Sequence, residues 1–150
     1  MVNAMGQFLA MYKQMDAQAF SKGIGQVAPY FSSIDPEIVS YRPRYCELVL
    51  KNQPKVHNHL GTIHAIAMCN AAELVAGMTT DASIPEGARW IPQGMTVSYL
   101  AKAKSDLKVV CDAGGVDFSR QGDIAVPVAA YTDGGTKCFT ALITMNVKHG

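Results

Sequence analysis

At 150 residues, 49% of them apolar and 17% charged, the sequence fits one domain spanning 1–150. A domain of this size buries enough surface to need neither disulfide nor metal. Thirteen Lys and Arg against twelve Asp and Glu leave a net charge of +1. That argues against nucleic-acid or anionic-membrane partners, which require a basic excess.

The first twenty residues, MVNAMGQFLAMYKQMDAQAF, have no basic start and no unbroken apolar run. They read as an amphipathic helix over about 3–20, with Phe8, Met11, Met15 and Phe20 on its apolar side, and not as a secretion signal. The stretch SKGIGQVAPY, with two glycines and a proline, is expected to break that helix. Residues 44–52 alternate, with Cys46, Leu48 and Leu50 on one side, which predicts a half-buried strand.

Residues 62–79, TIHAIAMCNAAELVAGMT, are the best helix candidate, with Thr62 as its expected cap. Ala67, Met68, Ala71, Leu74, Val75 and Met78 share one face, while the other holds small residues such as Cys69, Ala72 and Gly77. A helix apolar all round is a buried helix. Four strands are then expected: 95–103, LKVVCDA, 122–132 and 137–147. Pro127 in the third marks an edge or a bulge. The turn DGGT joins the last two as a hairpin, so the sheet is antiparallel. One curved antiparallel sheet wrapped around one apolar helix explains both patterns, and the class is α+β. No segment approaches the roughly 20 apolar residues of a membrane span.

Cys46, Cys69, Cys111 and Cys138 form no C-x-x-C pair and read as reduced, buried thiols of a cytoplasmic protein. His57, His59 and His64 invite a metal reading, but no nearby carboxylate or cysteine pair completes a common ligand set, so no metal is expected. His57 and His59 read as loop residues, and His64 as a helix-start histidine bonded to backbone.

Glu73 is the one carboxylate within 62–79. A buried carboxylate must be paired, protonated or used, and desolvation raises its pKa toward the range of a general base. Its bland alternative is a solvent gap or a dimer seam. The segment HNHLGTIH, 57–64, carries Gly61 and leads into the helix, whose free N–H groups, from Ala65 and Ile66, favour an anion or a polarised carbonyl oxygen. One such donor to a developing oxyanion is worth roughly 10²–10³ in rate. Trp90 either covers the site entrance or packs.

The string N-H-L-G-T-I-H-A-I-A-M-C-N-A-A-E resembles the signature of the hotdog-fold thioesterases of the phenylacetyl-CoA type, and of a less-characterised related branch. Asn58 lies six residues before His64, Gly61 three before it, and Glu73 nine after it, as in that signature. The resemblance covers about 44–147. It implies a hotdog fold with an extra N-terminal helix, and hydrolysis of an acyl-CoA or acyl-carrier thioester, with no cofactor beyond the CoA of the substrate. Glu73 would be the general base or the nucleophile, Asn58 would orient water or the carbonyl, and the Ala65 N–H, with that of Ile66, would polarise the carbonyl at the helix start beside His64 and Gly61. It also implies a homodimer or a dimer of dimers, with Glu73 and Asn58 from different subunits.

The family's H-G-G is H-A-I here, which keeps the N–H groups and adds bulk at Ala65 and Ile66. Lys102, Lys104 and Arg120 are the candidates for the phosphates of CoA. Two other readings stand beside hydrolysis. Loss of both glycines suits a non-catalytic acyl-CoA-binding module. The fourteen-residue step from His59 to Glu73 matches a hydroxyacyl thioester dehydratase, whose H-F-P-G string is absent.

Overall fold

The computed structural model describes residues 7–150. Its first helical stretch is divided where one helix was expected: α1 spans Gln7–Gln14 and α2 spans Ala17–Val27. Residues 3–6 of the expected helix lie outside the described residues. The divider is Asp16, whose carboxylate accepts the Ala19 N–H at 2.8 Å and so starts a new helix. The two glycines do not break α2. Buried Phe20, Ser21 and Ile24 hold its inner face, which offsets the cost of about 1 kcal/mol per glycine. Gly25 also allows a close approach, since a β-carbon there would stand 3.2 Å from Ser32 Cβ. Pro29 then opens a short 3₁₀ segment, Pro29–Ile34.

β1, Glu37–Arg42, is a strand that the sequence reading did not foresee. Its pairing with β2, Tyr45–Leu50, shifts register between Ile38 and Ser40. Buried Ile38 and Tyr41 therefore stand three residues apart, and the bulge hides the period of two. In β2 the expected alternation holds, with Cys46, Leu48 and Leu50 fully buried.

The central helix α3 runs Ala65–Ser83, later than the expected 62–79. Between Asn70 and Ala82 every residue but Glu73 is buried. After it come β3 (Arg89–Tyr99), β4 (Leu107–Asp112), β5 (Gly122–Tyr131) and β6 (Lys137–Lys148). β3 starts and ends earlier than 95–103. It takes in Pro92, which an edge strand tolerates, and stops at Tyr99; the Leu100 N–H then turns to the Cys138 carbonyl.

The six strands form one antiparallel sheet in the order β1-β2-β4-β5-β6-β3. α3 packs against strands from β1 to β6, so the sheet curls around it. Inward residues such as Val126, Val128, Ile143 and Met145 meet its apolar sides. Pro127 sits where its missing donor costs nothing. β5 pairs with β4 only from Ala129 to Tyr131, so its N-terminal stretch is free on that side. This curved sheet around a long helix is the hotdog fold, with added N-terminal helices. No described helix is long and apolar enough to cross a membrane.

Candidate functional site

The loop ahead of α3 is tied by its own side chains. Asn58 Oδ1 accepts the N–H groups of Leu60 at 2.9 Å and Thr62 at 3.2 Å, and Asn58 Nδ2 donates to Thr62 Oγ1 at 2.9 Å. Gly61 takes φ 76°, a conformation that glycine adopts without strain. Thr62 is thereby engaged in the loop and is not the helix cap. The cap is His64, whose Nδ1 accepts the Ile66 N–H at 3.0 Å. An accepting Nδ1 places the ring hydrogen of neutral imidazole on Nε2.

This arrangement corrects the expected donor pair. The Ile66 N–H is already spent on His64, and its side chain is 55% exposed. Among the described residues nothing takes up the Ala65 N–H. Ala65 and Asn58 line one open cleft of about 310 Å³, together with Met68, Tyr99 and Lys102. Asn58 keeps one amide hydrogen for a ligand, since its oxygen and its other hydrogen hold the loop.

Glu73 opens elsewhere. Among the described residues it is the only titratable side chain lining an apolar cavity of about 160 Å³ between α3, the N-terminal helices and β3. Phe8, Ile24, Phe31, Leu74 and Trp90 supply the apolar walls. Among the described residues Glu73 has no hydrogen-bond or ion-pair partner. Within one chain, then, Glu73 and Asn58 stand in separate cavities. The eight-residue step from Ala65 to Glu73 spans about 12 Å of helix.

Trp90 is held on the same face of α3. Its Nε1 donates to Asp81 Oδ1 at 3.0 Å, and its six-membered ring rests against Gly77. Glu73, Gly77 and Asp81 follow at four-residue steps, so they share one stripe. Trp90 therefore packs and also walls the cavity that holds Glu73. Asp81 was missed in the sequence because the expected helix ended at 79. It is 1% exposed, and burial raises its pKa while the Trp90 hydrogen bond opposes the rise. Asn70 was also missed. It is buried, with Nδ2 donating to Ser33 Oγ at 3.3 Å. A polar residue inside the apolar run, at 70, and an acid just past its end, at 81, are the signals that would have found them.

Lys102 and Lys104 line a second open cleft of about 290 Å³ with Ser105, Thr132 and Thr136. Lys102 borders both this cleft and the one holding Asn58 and Ala65, so the two are neighbours. The segment is anchored by Ile63, whose N–H donates to the Ala103 carbonyl at 3.0 Å. Arg120 is not brought to this region within the chain. Its guanidinium donates to the Asp123 carbonyl in the loop before β5. His57 is bonded to the Asn52 side chain through Nε2 at 2.6 Å, and His59 is exposed. Among the described residues no three His, Cys, Asp or Glu side chains gather as a metal site. All four cysteines are free, and Cys46 faces Cys111 across β2 and β4.

The outline belongs to a widespread class of hotdog-fold proteins. A thioesterase family protein from Silicibacter pomeroyi superposes with TM-score 0.73 at 16% identity, covering 87% of this chain and 96% of its own. A protein from Streptococcus mutans UA159, solved bound to acetyl-CoA, superposes with TM-score 0.67 at 14% identity, covering 77% and 90%. A crystal structure from a genomics effort is far nearer, with TM-score 0.89 and 52% identity over 97% of this chain and 99% of that one. Over residues 16–147 the sequence matches the family described as Domain of unknown function (DUF4442), and the chain belongs to that family. No curated protein matches it.

Proposed function

We propose that the protein hydrolyses the thioester of an acyl-CoA, or of an acyl-carrier thioester, in the cytoplasm, as a homodimer or a dimer of dimers. The observation that carries this reading is Glu73: a carboxylate unpaired among the described residues, half-buried in the otherwise buried 70–82 stretch of α3, opening into an apolar cavity. The thioesterase name of the Silicibacter pomeroyi protein and the acetyl-CoA bound by the Streptococcus mutans protein, both of this fold, support the substrate class.

The chemistry is an addition and an elimination. The Glu73 carboxylate takes a proton from water, and the water oxygen bonds to the thioester carbon. The carbonyl electrons move to oxygen, where the Ala65 N–H at the positive end of α3 holds the charge. The second Asn58 amide hydrogen orients the same oxygen. On collapse the C–S bond breaks, Glu73 returns the proton to the departing thiolate, and a carboxylic acid and free CoA leave. If Glu73 is instead the nucleophile, its oxygen bonds to the thioester carbon, the C–S bond breaks and CoA leaves as the thiolate to be protonated from solvent; water then opens the mixed anhydride to the carboxylic acid and free Glu73. Neither route needs a metal or a cofactor, because CoA is part of the substrate. Lys102 and Lys104 meet the phosphates, in the cleft that adjoins the one holding Asn58. Arg120, held near Asp123, serves only from a neighbouring subunit.

The separation of Glu73 from Asn58 supports assembly from two copies. β3 is an edge strand eleven residues long, and Met95 and Tyr99 on it and Leu100 just after it are exposed. An unpaired edge with apolar side chains is a template for pairing. Paired there, Glu73 of one protomer meets the partner's Asn58.

The non-catalytic acyl-CoA-binding reading has one observation in its favour, the loss of the Ile66 donor to His64. Release of free thiol from a panel of acyl-CoAs decides between them. Hydrolysis by the native protein that falls at least a hundred-fold in Glu73→Gln supports the enzyme. Binding without turnover supports the module, and unchanged turnover in Glu73→Gln removes Glu73 from the mechanism.

A further inference from the structure

The cavity beside Glu73 is built largely by the segments added to the fold. Its outer wall comes from α1, α2 and the 3₁₀ segment, through Phe8, Ile24, Val27 and Phe31, and its inner wall from α3 and Trp90. Cavities among core side chains close up because voids forfeit contacts. This one stays open at about 160 Å³, with Val27 at its rim 51% exposed. Among the described residues it has one carboxylate and otherwise apolar walls.

We propose that this cavity seats the acyl group of the substrate, and that its depth selects compact acyl groups of about six carbons. The proposal rests on the reading of Glu73 as the group that faces the thioester. The size follows from volume: an apolar cavity of about 150 Å³ takes up one benzene, a six-carbon guest. The depth is set by Trp90. Its ring cannot sink toward α3, because it already touches the Gly77 backbone, and it cannot swing aside without leaving Asp81. The N-terminal helices are thus a specificity element, acting on chain length at a distance from the cleft that receives CoA.

The test uses S-alkyl-CoA thioethers, which cannot be hydrolysed, with alkyl chains of two to twelve carbons. Binding is measured by calorimetry on the native protein. Each methylene entering an apolar cavity gains about four-fold in affinity. The expected result is a climb to about six carbons followed by a plateau or a fall. Val27→Trp, at an exposed position, fills the mouth and flattens the climb. Trp90→Ala extends it by two to four carbons. Affinity independent of chain length, a climb continuing through twelve carbons, or a climb untouched by Val27→Trp overturns the proposal. A climb that stops at six without thiol release from acyl-CoAs leaves the cavity assignment standing and removes the hydrolase. Turnover without a climb does the reverse.

Discussion

Trp90 and Gly77 are packed so closely that a β-carbon on Gly77 would stand 2.8 Å from Trp90 Cη2. A flexible side chain would yield, but this indole is fixed through Nε1 to Asp81. Gly77→Ala is therefore expected to destabilise the protein by about 1–2 kcal/mol, the overpacking cost exceeding the helix gain of alanine. The thermal midpoint should drop by several degrees. Trp90→Phe, smaller at that point, should recover part of the loss in the double variant, and a thermal-shift double-mutant cycle measures this. Strict additivity would show that the two residues do not interact.

Asp81 gives a pH dependence whose sign is fixed by its direction of shift. Burial raises its pKa in the folded state above the ordinary aspartate value. Between those two values the folded protein binds more protons than the unfolded one, so this contribution to stability falls as pH rises. Asp81→Asn keeps the acceptor for Trp90 and removes the ionisation. Its unfolding free energy relative to wild type should improve from pH 4 to pH 7.5. Denaturant titrations at the two pH values check this, and a constant difference would contradict it.

Lys102 and Lys104 share a cleft with three hydroxyl side chains, and Lys102 also borders the Asn58 cleft. Replacing both with glutamine should raise KM for an acyl-CoA roughly ten-fold, leave kcat nearly unchanged and weaken the salt dependence of KM. A change confined to kcat would place the lysines in a different role.

Met95, exposed on β3, tests assembly. If the protein pairs through β3 as proposed, Met95→Lys, which puts a charge on that apolar strand, should shift dimers to monomers in sedimentation velocity experiments, with activity lost in parallel. Full activity in a monomeric variant would mean that Glu73 works without a partner.

His64 caps α3 through Nδ1. His64→Ala should cost about 1 kcal/mol of stability, and His64→Asp should restore most of it. The comparison is read from chemical denaturation midpoints.

The fold was legible where residue period and burial coincide. α3, β2, β5 and β6 follow from apolar patterning alone, because each buries the face that its pattern predicts. Other elements escaped for local reasons. The bulge between Ile38 and Ser40 breaks the alternation of β1, and Asp16 divides a helix whose apolar period runs on unbroken. Gly23 and Gly25 read as breakers, yet packing of Phe20 and Ile24 overrides propensity. At the candidate site, the spacing of Asn58, Gly61, His64 and Glu73 pointed to the loop and helix that border two of the cavities. It could not reveal that His64 consumes the Ile66 donor, because that depends on a ring orientation. Nor could it reveal Asp81, whose importance comes from Trp90 folding back from the next strand.

Trp90 is the single tryptophan of the chain. It stands in the wall of the Glu73 cavity, with its indole N–H on a buried carboxylate. Emission excited selectively at tryptophan thus comes from one spot. A guest entering beside it displaces solvent from the ring and shifts the emission to shorter wavelength. The protein carries its own optical gauge of occupancy, needing no label and no turnover.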